Sequence, residues 1–239
     1  MGKGKVSRAT LLMGRFVMEL LVATLAHLNP GHEADGAARI RLIAETIRNA
    51  PGLVNVQLYQ SRGKDTYYFI LTTWEDEKTW QQAQVRYGPK GLLLGSATEL
   101  LAQAPEQWFM HYLWGYSRPA SKAALAAVHL ATTYNDQGER AQRGWIESLR
   151  RQVTQPTLAF AFLARGVSEN ATDAQEQAIA AGNTIAAPGD YEQGPIFLNF
   201  LSWANETERE EFYADPNYRA ISRFLSSIGV VQALTLETL

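Results

Sequence analysis

The sequence predicts an α+β protein: two tandem βαββαβ halves in one chain, packed sheet to sheet. Three observations carry this. "LTTWEDE" at 71–77 and "FLSWANE" at 200–206 are near copies, 129 residues apart. The order of strand-like and helix-like runs that ends near residue 117 starts again near residue 123. Finally, the strand read at 106–116 is apolar on both faces, with Trp108, Met110, Tyr112, Trp114 and Tyr116 on one side and Phe109, His111 and Leu113 on the other. A sheet with helices on only one face needs a second cover for the other.

The elements follow in order. Residues 15–26 are rich in apolar and β-branched side chains and read as a strand, and the Asn-Pro-Gly of "HLNPGHEADG" marks a turn. Ile40, Ile43, Ala44 and Ile47 recur at helical spacing from Glu33 to Asn49, where Pro51 and Gly52 stop the helix. "LVNVQLYQ" (53–60) and "TYYFILTTW" (66–74) are strands joined by a Gly-containing connector. Asp76 is placed to cap a helical region that runs to Ala104 with a break at Gly88-Pro89.

The second half repeats the order. It has a strand at 124–134, a turn at "NDQGE", a helix over Arg140–Thr154, and strands at 158–165 and 195–203. A helix capped by Asn205, with Glu208 three residues on, is broken at Asp215-Pro216 and runs to Ser227. A final strand covers 230–239. Pro51 and Pro156 are 105 residues apart but Trp74 and Trp203 are 129 apart, so an insertion of 24 residues is required. The polar stretch 167–193, with a short helix near Asp173–Ala181, supplies it. The predicted organisation is therefore a flexible arm at 1–14, a first domain at 15–117, a linker, and a second domain at 123–239.

Composition narrows the function classes. Of the 239 residues 46% are apolar and 19% charged, which suits a packed core. The net charge of −2 argues against a nucleic-acid partner. The absence of cysteine excludes disulfides, thiolate metal sites and a Cys nucleophile, and suits the cytoplasm. Arg15 and Glu19 interrupt the N-terminal apolar run, and no stretch of ~20 apolar residues predicts a membrane span. No phosphate loop or dinucleotide fingerprint is present, and no His pair has metal-site spacing, so neither a cofactor nor a metal is expected.

The run of strand, Asn-Pro-Gly turn, helix, "PGLVNVQLYQ" and "FILTTWEDEKTW" resembles the antibiotic biosynthesis monooxygenase (ABM) domain of the dimeric α/β-barrel superfamily. The resemblance covers 15–117 and, through "FLSWANETEREEF" and the element order, 123–239 more loosely. It implies two ferredoxin-like halves forming a single-chain dimeric α/β barrel, either a monomeric pseudo-dimer or a homodimer. It also implies a cofactor-independent monooxygenase that deprotonates an aromatic or polycyclic small molecule and lets the carbanion react with O2. His129 and His111 lie within strands and are the candidate bases, although a lone strand His also serves as a hydrogen-bonded core residue. Trp74, Trp203, Tyr67, Tyr112 and Trp108 are the candidate pocket for a hydrophobic or aromatic ligand, with core packing as the competing role.

Two other readings stand beside it. One is a non-catalytic small-molecule-binding or stress-associated barrel. The other is a haem-binding or haem-degrading relative, which is disfavoured because strand 15–26 lacks Asn and neither 75–105 nor 130–239 contains His.

Overall fold

A computed structural model describes residues 19–118, 123–154, 157–168 and 193–239. The chain runs β1 (Leu20–His27), α1 (Glu33–Arg48), β2 (Leu53–Ser61), β3 (Tyr67–Trp74), α2 (Glu77–Tyr87), α3 (Pro89–Ser96), a 3-10 turn at Thr98–Leu100 and β4 (Glu106–Ser117). It continues with β5 (Leu125–Tyr134), a 3-10 turn at Asn135–Gln137, α4 (Gly138–Gln152), β6 (Phe160–Ser168), β7 (Gln193–Trp203), α5 (Glu206–Ala214), α6 (Pro216–Ile228) and β8 (Gly229–Thr238). The predicted arm at 1–14, most of the linker, and all of the predicted insertion at 167–193 except its ends in β6 and β7, its short helix included, lie outside the described residues.

The local chemistry explains the boundaries. Asp76 accepts a hydrogen bond from the Thr79 amide at 2.7 Å, and the Thr79 hydroxyl accepts one from the Asp76 amide, which closes a capping box at the start of α2. Asn205 does the same work for α5, its Oδ1 accepting from the Glu208 amide at 3.0 Å, while Glu208 reaches back to the Ala204 amide. Pro89 and Pro216 each occupy the first turn of a new helix and so divide each predicted long helix in two.

Eight antiparallel strands close into one barrel in the order β1-β3-β2-β8-β5-β7-β6-β4. The contributions from 20–117 and 125–238 are hydrogen-bonded edge to edge as well as facing one another. One seam, β4 with β6, runs from Trp108↔Ser168 to Ser117↔Phe160. The other, β2 with β8, pairs only Tyr59↔Thr238 through Ser61↔Leu236. Closure leaves no open sheet edge among the described strands. The longer seam is tight. A Cβ on Gly166 would sit 1.8 Å from the Phe109 carbonyl oxygen, so β4 and β6 approach this closely only with glycine there.

The interior is filled by alternate side chains of all the strands, including Leu21, Phe69, Trp108, Met110, Phe162 and Phe200. Other apolar clusters lie outside the barrel wall, beneath the helices. One expectation is corrected here. A bulge between Tyr112 and Trp114 breaks the alternation of β4. Trp108 and Met110 face the interior and Tyr112 stacks on Phe162 there, but Trp114 and Tyr116 pack with Leu113 against the outer cluster under α4 to α6. The strand is apolar on both faces because it changes faces midway.

Candidate functional site

On β5, Ala126, Val128 and Leu130 point into the barrel, while Ala127, His129 and Ala131 face the helices. On β7, Leu198 and Phe200 point inward, and Phe197, Leu201 and Trp203 join the helix layer. His129 and Asn199 are register partners across these two strands and share that outer face. Both are buried, at 4% and 1% exposure, beneath Trp145 of α4, Tyr213 of α5 and Tyr218 of α6. A buried His–Asn pair at the centre of an apolar layer is costly unless its polar atoms are used.

Few of them are used within the chain. Tyr218 Oη lies 2.9 Å from His129 Nε2. His129 Nδ1, both polar atoms of the Asn199 amide and the indole N–H groups of Trp145 and Trp203 have no hydrogen-bond partner among the described residues. Each such buried group left unpaired costs ~1–3 kcal/mol, so this layer holds several polar atoms that the described residues leave unsatisfied. Burial drives the His129 imidazole down to about 4, with the Asn199 carbonyl pulling weakly the other way, so the ring is neutral at pH 7. Burial also raises Tyr213, to about 12, and raises Tyr218 further.

The matching positions near the N-terminus differ. Leu20 pairs with Trp74 as Leu125 pairs with Trp203, so Thr24↔Ile70 stands where His129↔Asn199 does. There the polar groups are satisfied. Thr24 Oγ1 donates to Gln107 Oε1 at 3.2 Å, and Trp74 Nε1 donates to Thr72 Oγ1 at 2.9 Å. The residue two before Trp203 is Leu201, which offers no acceptor.

The residues predicted from sequence are therefore dispersed. His129 and Trp203 fall in one layer. Trp74 packs on Trp80 beneath α2, at 5.1 Å between ring centroids. Trp108 is in the barrel core, Tyr112 is partly exposed and stacks on Phe162, and Tyr67 stacks on His27 at 4.3 Å. His111 is exposed on β4, opposite Leu20 and Arg165. Sequence reasoning missed Asn199, Tyr213 and Tyr218 as site residues; the one available signal was an Asn inside "PIFLNFLSW", four residues before Trp203. A depression of about 370 Å3 between α1 and the 3-10 turn at Thr98–Leu100, lined by Asp35, Arg39, Leu42 and Glu99 among others, lies in a different helix layer from this cluster. Among the described residues no group of His, Asp or Glu could hold a metal ion, and no helix is long and apolar enough to cross a membrane.

Fold and layer together define a ferredoxin-like α+β barrel with a cluster of buried polar groups between sheet and helices. Residues 18–84 match the sequence model of the family described as antibiotic biosynthesis monooxygenase (ABM). The match spans β1 to most of α2, so it stops short of the His129–Asn199 layer. Among solved structures, an anthrone oxidase-like protein superposes with a TM-score of 0.69 at 9% identity, over 93% of this chain and 92% of its own. A candidate monooxygenase from Fusobacterium nucleatum has a TM-score of 0.65 at 6% identity, over 94% of both chains. Another from Lactobacillus acidophilus has a TM-score of 0.59 at 6% identity, over 92% of this chain and 94% of its own. At these identities the likeness is one of fold. No curated protein matches the chain.

Proposed function

We propose that the protein is a cofactor-independent monooxygenase that oxidises an aromatic or polycyclic small molecule with O2 in the layer between β5, β7 and the helices α4 to α6. Residues 15–117 and 123–239 are read as two ferredoxin-like copies, of which the second holds the site, so that one chain makes a monomeric pseudo-dimer. The observation that carries the reading is the set of buried, unpartnered polar atoms on His129, Asn199, Trp145 and Trp203. The ABM match at 18–84 supports the reaction class.

The chemistry follows from these groups. In the tautomer whose Nε2–H donates to Tyr218, His129 Nδ1 keeps a free lone pair and takes a proton from an acidified CH2 carbon. The Asn199 amide and the indole N–H groups hold the oxygen on which the resulting negative charge settles. The carbanion is oxidised by O2 with formation of a C–O bond, the peroxide is protonated, and loss of water leaves a ketone. One oxygen atom stays in the product and the other leaves as water. The apolar lining from Phe197, Leu201 and Phe212 keeps bulk water from the carbanion.

The test is oxygen uptake and ketone formation with anthrone, in air and under anaerobic conditions. Turnover in air that falls by about 10²-fold or more in His129→Gln supports the reading. Absent turnover, or turnover unchanged by the substitution, sinks it. A second reading, a binding barrel without turnover, is favoured by how completely the helices cover the cluster, with Trp203 at 0% exposure. Stoichiometric anthrone binding with no oxygen uptake would select it.

A further inference from the structure

His129, Asn199, Trp145 and Trp203 are all buried, so a ligand that reaches His129 Nδ1 has to displace part of the helix cover. The three helices are not held equally. On β6, Arg165 donates to Glu139 Oε1 at 3.2 Å and to Gln142 Oε1 at 3.0 Å, which ties α4 to the sheet. For α5 the tie is Arg209, which donates to Thr235 Oγ1 of β8 at 3.4 Å, while Glu206 pairs with Arg62 at 2.7 Å. Among the described residues, a side chain of α6 makes one hydrogen bond to a strand, and that is Tyr218 Oη with His129 Nε2 at 2.9 Å. The other side-chain bonds of α6 run to the Tyr213 carbonyl of α5 and to its own backbone. The two ends of α6 differ as well. Leu225 and Ile228 are buried near its C-terminus, where the chain enters β8 at Gly229, opposite Thr133, and a Cβ on Gly229 would lie 2.4 Å from the Thr132 carbonyl oxygen. At the N-terminal end Pro216 has no amide to give back to α5, and Asp215 Oδ1 caps the amides of Asn217 and Tyr218. Against α4 the helix makes an apolar contact, with Phe224 seated over Gly144 and the Arg140 guanidinium 5.0 Å from its ring.

We propose that α6 is the lid of this layer: its N-terminal end lifts from the sheet about the junction with β8, and the Tyr218 hydroxyl is its latch on His129. The proposal rests on the reading of the layer as a ligand site, and it adds how a ligand enters. Lifting α6 costs one hydrogen bond to the sheet and an apolar contact with α4, whereas lifting α4 or α5 also breaks charged contacts. The segment with the fewest ties opens at the lowest free energy. Because the latch closes on the imidazole itself, the closed lid and the orientation of His129 are one arrangement.

Single-thiol labelling tests this in the full chain, which has no cysteine of its own. Ala131→Cys places a thiol on the outer face of β5, one step along from His129. Ala126→Cys places one in the barrel interior, where it reports global unfolding. A thiol-specific disulfide reagent should label position 131 faster than position 126. Adding Tyr218→Phe should raise the rate at 131 about fivefold, the worth of one hydrogen bond, beyond any change at 126. Adding Arg165→Ala, which cuts α4 from β6, should give no such excess. No excess at 131 in Tyr218→Phe, or an excess in Arg165→Ala instead, overturns the lid. Anthrone binding to the same Ala131→Cys chain, followed by tryptophan fluorescence, is the second measurement. Its rate should level off with rising anthrone at the opening rate that excess reagent gives for position 131. Binding faster than that opening overturns the lid and leaves the layer as the site. No anthrone binding, with the excess labelling at 131 present, supports the lid and overturns the reading of the layer as an anthrone site.

Discussion

At the scale of single residues, His129 sets a measurable pH dependence. Its folded imidazole sits at about 4, below the ordinary 6.5, so between those values the unfolded chain binds a proton that the folded chain does not. Stability therefore rises with pH across that window and is lost as pH falls from 6.5 to 4. The contribution is on the order of 3 kcal/mol. Denaturant titrations of wild type and His129→Gln should show a steeper loss in wild type over this window, and equal slopes would contradict the buried neutral ring. The two tryptophans make a second comparison. Trp74→Phe removes the indole hydrogen bond to Thr72, whereas Trp203→Phe removes none. Trp74→Phe should therefore be more destabilising by about 1 kcal/mol, read as a difference in denaturation midpoints. His129 and Trp203 were legible in the sequence because an imidazole and an indole are conspicuous in apolar strands. Asn199 was not, because its partner depends on the register of β5 against β7, which nothing local to either strand specifies. Tyr218 was hidden for a similar reason: the crossing of a helix over the sheet decides what its hydroxyl meets.

At the scale of elements, turn and cap chemistry was the most legible. Asp76, Asn205, Pro89 and Pro216 stand where their side chains and missing amides predict, and the helices start or break there. Asn205→Ala should cost about 1 kcal/mol, the usual cost of losing an N-cap acceptor. The loss should be confined to α5 and its neighbours, as hydrogen exchange of the Glu208 amide would report. The bulge in β4 was not legible. Alternation in "EQWFMHYLWGY" is unbroken on paper, and the extra residue is imposed by pairing with β6 and by Tyr112 folding over Gly115, where a Cβ would lie 1.5 Å from the tyrosine hydroxyl. A strand's own pattern does not say where its partner forces it to slip.

At the scale of the molecule, the unequal seams decide where the barrel gives way. The β2–β8 seam is short, though Arg62 reinforces it by donating its amide to the Thr235 carbonyl at 3.0 Å and by pairing with Glu206 at 2.7 Å. Amides of Tyr59 to Ser61 should exchange faster than those of Met110 to Tyr112 in the long seam, and Arg62→Ala should widen the gap. Equal protection in both seams would show that the barrel opens only globally. That the two sets of strands pack against each other was predicted from sequence; the seams were not, since neither strand of a seam specifies which distant strand it pairs with. Drawing all eight strands from a single chain has one more effect. In a barrel built from two identical subunits, every substitution appears on both sides of the axis, so a polar pair favourable at one position must be tolerated at its mirror image. A continuous chain escapes this bond: Thr24–Ile70 and His129–Asn199 occupy corresponding places, and each is free to change without obliging the other to follow.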